Sequence, residues 1–400
     1  MTRSKIIFLT LILFLSFTAC QKSEVSSSFS FYTPPEEKEP FPLVAQRPVK
    51  NVILMIGDGM GFVHIVAART VVLGAQGRLT IERLPVTGLI DNYAADEFVS
   101  CSAATGTSLA TGFKTNRRMI SLLPDGTPVL TILEAARERG LATGLVATST
   151  ITHATPAAFA AHSPNRHRET EIAVQFIEGK VNVLMGGGRA LFKPGIGGYK
   201  FRRSDSRDLI DEARKAGYAY VETGDDLMRL KKDSDYVLGL FGDGEMLGQA
   251  PEPTLSDMTE KAIEILSQKD KGFFLMVEGS QIDWGSEDND INYMVRELLH
   301  FDLAVRKAIR FAMESENTLV VVTSDHESGG MFISGEPPNQ IDGKIKIHWG
   351  TDEHNGNAVP VFAYGPHAER FMGWHDNTEI PKKIADVLEI PDFPRKMMKK

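Results

Sequence analysis

Short, continuous apolar runs recur along the chain and alternate with segments whose apolar residues have helical spacing. Runs of this kind are typical of strands buried on both faces of a sheet. The apolar runs are Asn51–Ile56, Leu141–Ala147, Val181–Met185, Phe273–Val277, Leu319–Val322 and Val359–Ala363. The helical segments are Leu130–Arg139, Asp257–Leu266, Tyr293–Met313 and Ile380–Leu388. This alternation favours an α/β fold, and we predict a three-layer sandwich in which helices cover both faces of a mostly parallel central sheet.

The N-terminal segment has the pattern of an export signal rather than of a folded element. Arg3 and Lys5 precede an apolar run of 12 residues, Ile6–Phe17, which is shorter than the roughly 20 residues that span a bilayer. Ala19 and Cys20 follow, and this junction resembles the cleavage box of a bacterial lipoprotein. We therefore predict a lipoprotein-type signal peptide over residues 1–20, a lipid anchor on Cys20, and export to the periplasm or the cell surface. Plain secretion and an uncleaved anchor are the alternatives.

Composition divides the rest of the chain. Residues 21–48 are rich in Ser, Pro, Glu and Lys, which predicts a solvated, flexible tether. Residues 49–400 are predicted to form one domain, with the charged, glycine-rich segment 195–253 as a peripheral insertion. Cys101 is the only cysteine besides Cys20, so a lipid on Cys20 excludes an intrachain disulfide. The formal net charge of −8 gives no indication of nucleic-acid binding.

Ionisable side chains follow several of the predicted strands. Asp58 follows the first run, Glu278 and Asp283 follow the run from Phe273, and Asp325 with His326 follows the run from Leu319. A single acidic residue after a strand is usually a cap or turn residue. Several at equivalent strand ends would repel one another, and divalent cations relieve such repulsion. Asp and His together suit zinc, whereas Asp, Glu and Thr oxygens suit magnesium.

A nucleophile is available in the segment from Ser102 to Gly112, which has the pattern of a helix that begins with small residues. A serine at a helix N-terminus lies near free backbone N–H groups and the positive end of the helix dipole, where phosphate binds well. Ser102 could equally be a plain N-cap. Beside two zinc ions about 4 Å apart, such a serine could displace an alcohol from phosphorus.

Six short motifs together resemble the alkaline phosphatase family, in its bacterial branch that carries the sequences THATPAA and EGSQIDW. They are Gly57-Asp-Gly-Met-Gly61, Cys101-Ser-Ala-Ala104, Thr152-His-Ala-Thr-Pro156, Val277-Glu-Gly-Ser-Gln-Ile-Asp283, Thr323-Ser-Asp-His326 and Phe362-Ala-Tyr-Gly-Pro366. The resemblance runs from about Lys50 to Glu369. It implies that the domain is catalytic and hydrolyses phosphate monoesters through a phosphoseryl intermediate on Ser102.

The resemblance also implies roles for the charged residues. Arg166 would hold two phosphate oxygens with its guanidinium group. Asp325 and His326 would bind the zinc ion that activates Ser102, and Ser102 itself would be a ligand of that zinc. Small phosphorylated molecules are the implied substrates.

Two further metal positions are implied. Asp58 would bridge the first zinc to a third site, normally magnesium, that Thr155 and Glu278 would line. His153 stands near that site where relatives carry either Asp or His, so zinc is a second candidate there. Asp283 and His354 would bind the other zinc, which would stabilise the leaving-group oxygen. Homodimers are common in the family, and no motif of this sequence tests that expectation.

Three positions depart from the family pattern. Glu287 stands where relatives have a zinc-binding His; a glutamate oxygen can also bind zinc, and solvent exposure of Glu287 is the alternative. Cys101 stands where relatives have an Asp that orients the arginine. Trp284 follows Asp283 where some relatives have Lys, and would line the cleft without supplying charge. Two other functions therefore remain open: a weakly active or inactive lipoprotein that binds metal and phosphate, and a phosphodiesterase of the same superfamily.

Overall fold

The computed structural model describes residues 29–36, 39–196, 202–334 and 345–397. The predicted signal peptide and Cys20 lie outside these residues. Within them the strands are β1 Asn51–Gly57, β2 Val86–Asp91, β3 Ala142–Thr150, β4 Val183–Gly187, β5 Ala219–Val221, β6 Val237–Leu240, β7 Phe273–Gly279, β8 Thr318–Thr323, β9 Glu327–Ser328, β10 Phe332–Ser334, β11 Lys346–His348, β12 His354–Asn355, β13 Val359–Tyr364 and β14 Gly373–Asp376.

The helices lie mostly between these strands. They are α1 Phe62–Leu73, α2 Ser102–Thr111, α3 Ile132–Glu138, α4 Ala154–Ala160, α5 Glu169–Glu178, α6 Arg189–Phe192, α7 Leu209–Lys215, α8 Gly224–Arg229, α9 Leu255–Leu266, α10 Gln281–Glu287, α11 Ile291–Ser315 and α12 Glu379–Val387. Two short 3₁₀ helices span Ile81–Arg83 and Ala368–Phe371.

A sheet of ten strands forms the centre of the domain, in the order β14-β2-β13-β8-β1-β7-β3-β4-β6-β5. β13 runs antiparallel to both of its neighbours, whereas the neighbours of β1, β3 and β4 run parallel to them. All six predicted strands belong to this sheet. The expected fold class, a mostly parallel α/β sandwich, is therefore confirmed.

The alternation of side chains along β1 explains why both faces of the sheet are covered. Val52, Leu54 and Ile56 pack into one apolar core with residues of α2, α3, α4, α5 and α12. Ile53 and Met55 point to the opposite face and pack with residues of α1, α9, α10 and α11. A strand buried on both faces needs a continuous apolar run, and β1 has one from Val52 to Ile56.

The register of the central strands brings their carboxyl ends to one edge. Ile56 of β1 lies opposite Glu278 of β7 on one side and Thr323 of β8 on the other. Ala147 of β3 also lies opposite Glu278. The residues that follow these strands therefore meet at one place, as expected for a ligand site in an open α/β sheet.

The segment 195–253, predicted to be a peripheral insertion, supplies β5 and β6 in its described part. β6 pairs with β4, and β5 pairs with β6 at the end of the sheet. β2 and β14, at the other end, also lack the continuous apolar runs on which strands were predicted. In β2, buried positions alternate with exposed or partly exposed ones.

The expectation of a solvated tether over 21–48 is wrong for part of its described residues. Tyr32 is 6% exposed, and its hydroxyl donates to Asp302 Oδ2 at 2.7 Å. Phe31 stacks on His300 with ring centroids 4.3 Å apart. The aromatic residues in this otherwise polar segment supply enough apolar surface to hold it against α11. No helix among the described residues is long and apolar enough to cross a membrane.

Candidate active site

Ser102 is the first residue of α2, and its hydroxyl group faces a cluster of ionisable side chains. The N-cap of α2 is Cys101, in an extended conformation, so the interpretation of Ser102 as a plain N-cap is wrong. Ser102 is 2% exposed, and its Oγ lies 3.3 Å from His326 Nε2. Small residues let α2 lie close to α4: a Cβ on Gly106 would be 3.3 Å from the Ala158 side chain.

Four carboxylates are buried together beside Ser102. Asp58, Glu278, Asp283 and Asp325 are each at most 4% exposed. Within the described part of the chain, neither carboxylate oxygen of Asp58 has a hydrogen-bond partner, and Glu278 Oε1 has none either. Because unpaired buried carboxylates are costly, this cluster requires protons or cations.

The electrostatics of the cluster lead to the same conclusion. Burial, reinforced by the Asp325 and Asp283 carboxylates, raises the pKa of Asp58 well above its ordinary value. Burial is also the main cause that raises the pKa of Glu278 to about 7 and that of Asp283 to about 7. A divalent cation among these groups would replace the protons and keep the carboxylates ionised.

Among the described residues, three groups of side chains place their ligand atoms within 4.8 Å of one another. The groups are Asp58, Asp325 and His326; Asp283, His326 and His354; and Asp58, His153 and Glu278. The structure thus brings together, from distant segments, residues that the sequence predicted to be metal ligands. Thr155 lies beside the Glu278 carboxylate. His153 Nδ1 is buried and has no hydrogen-bond partner in the described residues. This nitrogen is therefore available to bind a metal ion.

His354 comes into the site from the two-residue strand β12. Its Nδ1 lies 3.0 Å from the backbone oxygen of Ser100, so its Nε2 faces the cluster. That Nε2 is 3.7 Å from Asp283 Oδ1 and 3.2 Å from Glu287 Oε1. Burial would lower the pKa of His354, but the Glu287 and Asp283 carboxylates raise it to about 9. Glu287 therefore reaches the group, although its side chain is 39% exposed.

Arg166 and Trp284 lie at the entrance to the cluster. They line a cavity of about 230 Å³ together with His153, Glu169 and Glu245. Arg166 Nη2 lies 2.7 Å from His153 Nε2. The Trp284 ring meets His153 edge-on, with centroids 5.9 Å apart.

Comparisons with known proteins identify the family of this chain. The family model described as alkaline phosphatase matches residues 49–341 and 337–390. The chain belongs to the alkaline phosphatase family. Alkaline phosphatase 3 of Bacillus subtilis is 36% identical, over 86% of this chain and 90% of that protein. The Escherichia coli alkaline phosphatase is 32% identical, over 84% and 85%. The chain is therefore an enzyme of the phosphoric monoester hydrolase class.

Solved structures of alkaline phosphatases have the same fold. The enzyme from the Antarctic bacterium TAB5 is 35% identical, with a TM-score of 0.77 over 87% of this chain and 100% of that one. Two TAB5 variants, in which one histidine is replaced by glutamate or aspartate, have magnesium bound in a site called M3. They are each 34% identical, with TM-scores of 0.77 and 0.76 over 87% of this chain and 100% of theirs.

Cys101, one of the departures from the alkaline phosphatase pattern, is 5% exposed beside Ser102. Its Sγ accepts a hydrogen bond from Arg118 N at 3.3 Å. Burial acts to raise the pKa of the thiol, but backbone N–H groups, led by that of Arg118, and the Arg166 guanidinium outweigh burial and lower it. The thiol thus lies in a positively polarised environment. Unlike an aspartate at this position, Cys101 has no carboxylate that could pair with Arg166.

Several residues of this alkaline phosphatase site were not identified from the sequence. Ser328 Oγ donates to Asp283 Oδ1, Ser280 Oγ donates to Glu278 Oε2 at 2.7 Å, and Thr105 Oγ1 donates to Asp325 Oδ2 at 3.3 Å. All three fix the orientation of a carboxylate that could bind metal. The sequence indicates these residues only by their position, because each hydroxyl residue lies within three positions of a proposed metal-binding residue.

Proposed function

We propose that the protein hydrolyses phosphate monoesters through a phosphoseryl intermediate on Ser102, at a site for two zinc ions and a third metal. One observation carries the proposal: the Ser102 hydroxyl lies 3.3 Å from His326 Nε2, inside the group that His326 forms with Asp58 and Asp325. Ser328 and Ser280 donate to carboxylates, whereas Ser102 presents its oxygen at a helix N-terminus, which suits a nucleophile that attacks phosphorus.

The chain's own residues would divide the reaction between them. Ser102 Oγ loses its proton to water and attacks phosphorus. The bond from phosphorus to the alcohol oxygen breaks, and the departing alkoxide takes a proton from water and leaves as the alcohol. The N-terminus of α2 stabilises the negative charge of the phosphoryl group, and Arg166 turns from His153 to hold two of its oxygens. Water then cleaves the Ser102 phosphoester and releases phosphate. When bound, the metal ions would lower the pKa of the serine hydroxyl and of water, and neutralise the leaving-group oxygen.

The ligand sets of the proposal follow from the chemistry of the donors. Asp58, Asp325, His326 and Ser102 would hold one zinc ion. Asp283, His354 and Glu287 would hold the other, and nitrogen together with carboxylate oxygen suits zinc at both places. The third site, with Asp58, Thr155 and Glu278, is rich in oxygen and suits magnesium, whereas His153 at its edge makes zinc a second candidate there.

Export and a lipid anchor on Cys20 complete the proposal, with small phosphorylated molecules as substrates. Incorporation of a radioactive fatty acid into the chain, and its loss in Cys20→Ser, would test the anchor. Sedimentation of the purified chain would test the homodimer that the family suggests.

The activity is tested with p-nitrophenyl phosphate on the full-length chain in mild detergent, stripped of metal and then refilled with zinc and magnesium. Turnover should depend on zinc and rise toward alkaline pH. Ser102→Ala should lower kcat by at least about 10³-fold without loss of metal. Ser108→Ala is the matched control, because Ser108 is buried in the same helix and its Oγ only bonds back to Ala104 O at 3.1 Å. Metal uptake without turnover would instead support the inactive metal-binding protein, and faster cleavage of a diester would support a phosphodiesterase.

A further inference from the structure

The carboxylate of Glu327, directly after His326, joins two parts of the site that are distant in sequence. Glu327 is 4% exposed. Its Oε2 accepts hydrogen bonds from Asn355 Nδ2 and from Asn357 Nδ2 at 2.8 Å. Both asparagines lie in the segment that carries His354. One buried carboxylate therefore holds this segment on the C-terminal side of His354.

The main chain around His354 is also held by single hydrogen bonds. Gly329 N donates to Glu353 O at 3.0 Å, and Asn92 Nδ2 donates to Asn357 O at 3.0 Å. β12 has two residues, and its ladder with β9 consists of His354 opposite Ser328 and Asn355 opposite Glu327. A ladder this short gives little stability by itself. The charged hydrogen bonds to Glu327 are stronger than neutral ones, and they fix the residues on which the direction of the His354 side chain depends.

The surroundings of Glu327 are shaped to receive its side chain. A Cβ on Gly61 would lie 2.6 Å from Glu327 Cγ, so only glycine at position 61 lets the carboxylate reach the asparagines. His64 Nδ1 accepts from Gly61 N at 3.1 Å. The proton of the neutral His64 ring is therefore on Nε2, which lies 3.9 Å from Glu327 Oε1. Burial lowers the pKa of His64 to about 4 and keeps the ring neutral.

We propose that Glu327 is a positioning residue for the zinc site of Asp283 and His354: through Asn355 and Asn357 it holds His354 where its Nε2 can bind the metal. The inference rests on the proposed function, because it assumes that His354 is a zinc ligand. Glu327 itself does not touch the substrate. Glu327 acts by fixing the position of the ligand His354. Loss of a contact that orients a metal ligand typically lowers metal affinity by about 10- to 100-fold.

The test measures zinc affinity directly, by competition with a chromophoric chelator on the metal-free full-length chain. The parent should bind zinc at the Asp325–His326 and Asp283–His354 sites. Glu327→Ala should weaken zinc binding at the Asp283–His354 site by about 10-fold or more, and should leave the affinity of the Asp325–His326 site unchanged. Asn357→Ala removes one of the two hydrogen bonds and should weaken the same site by less. In a His354→Ala background, Glu327→Ala should cause no further loss, because the ligand that it positions is gone.

Glu134→Ala is the matched control for the loss of a buried acid. Glu134 is 8% exposed and pairs with His162 at 3.1 Å, so its removal should lower the melting temperature and leave both zinc affinities unchanged. Glu327 would be merely structural if its loss weakened both sites equally, changed neither, or weakened zinc binding further in the His354→Ala background. If the parent chain itself bound fewer than two zinc ions, the proposed two-zinc site would fail. If the parent bound two and Glu327→Ala matched it, only the role of Glu327 would fail.

Discussion

Arg166 donates to His153: its Nη2 lies 2.7 Å from His153 Nε2. A guanidinium group can only donate, so Nε2 is the acceptor, and the proton of the neutral ring is on Nδ1. His153 groups with Asp58 and Glu278, and its Nδ1 is the ring nitrogen that is buried without a hydrogen-bond partner among the described residues. One imidazole therefore joins the proposed third metal site to the proposed phosphate-binding arginine. A metal bound at Nδ1 would leave the ring proton on Nε2, where it could no longer accept from Arg166.

His153→Asp should make the third site more selective for magnesium. A carboxylate adds an oxygen ligand, which magnesium prefers to nitrogen, and it can still pair with Arg166. We expect magnesium affinity to rise by about tenfold, measured by calorimetric titration of the zinc-loaded protein. His153→Asn has nearly the same shape without the charge and is the control. Equal magnesium affinity in the parent and both variants would mean that His153 does not contribute to the third site.

The strands that surround the site could be predicted, because each is buried on both faces and contains a continuous apolar run. Ile53 and Met55 face one core, and Val52 and Leu54 face the other. The proposed ligands could be predicted for the same reason, since Asp58 and Asp325 lie within two residues of the ends of such strands. β14, which is half exposed along its length, has no comparable signal. The anchoring of Tyr32 has no such signal either, because it depends on side-chain contacts with α11, such as that with Asp302, which lies 270 residues away in the sequence.

Side-chain contacts between distant segments could not be predicted from the sequence either. Nothing in the pattern around Glu327 predicts that its carboxylate accepts from Asn357, 30 positions later. The contact of Arg166 with His153 is equally invisible, because it depends on the turn between α4 and α5. Residue types at strand ends indicate which chemistry is present, whereas the orientation of each group depends on packing that only the folded chain defines.

Cys101→Asp should tighten phosphate binding. The thiol lies at the N-cap of α2 near Arg166, and an aspartate there would cap the helix and offer a charge that orients the guanidinium. We expect the inhibition constant of inorganic phosphate to fall by roughly 3- to 10-fold, which corresponds to about 1 kcal/mol. Cys101→Asn supplies the same cap without charge and should match the parent. The gain should vanish in an Arg166→Ala background; a gain that survives there would contradict the role given to Arg166.

Glu287→His should tighten zinc at the site of Asp283 and His354. Glu287 Oε1 is 3.2 Å from His354 Nε2, close enough for both to approach one ion, and imidazole is a strong zinc ligand. We expect about tenfold higher affinity for one zinc ion, measured by chelator competition. Glu287→Gln keeps the size of the side chain but loses the anionic ligand, and it should weaken the same site. Identical zinc affinities in all three proteins would show that Glu287 faces solvent and binds nothing.

Removal of metal should make the stability of the protein fall as pH rises. In the metal-free protein, burial raises the pKa of Glu278 from 4.5 to about 7 and that of Asp283 from 3.8 to about 7. The folded state therefore holds protons that the unfolded state has lost across this interval. The stabilisation is complete below the unfolded pKa values and is lost as pH rises through the folded ones. Between the unfolded and the folded pKa values, each extra proton held by the folded state lowers the free energy of unfolding by about 1.4 kcal/mol for every pH unit that the pH rises.

His354 extends this dependence to higher pH, because its folded pKa is raised from 6.5 to about 9. Zinc bound at Asp283 and His354 replaces the protons of these two groups and should remove most of the dependence that they cause. The difference in melting temperature between the zinc-loaded and the chelator-treated protein should therefore widen from about pH 5 to about pH 9, in calorimetric scans at constant ionic strength. Glu134→Gln alters a buried acid that pairs with His162, and should shift both curves without changing the difference. A difference that stays constant with pH would mean that the buried carboxylates do not exchange protons for metal, and that the cluster does not bind zinc.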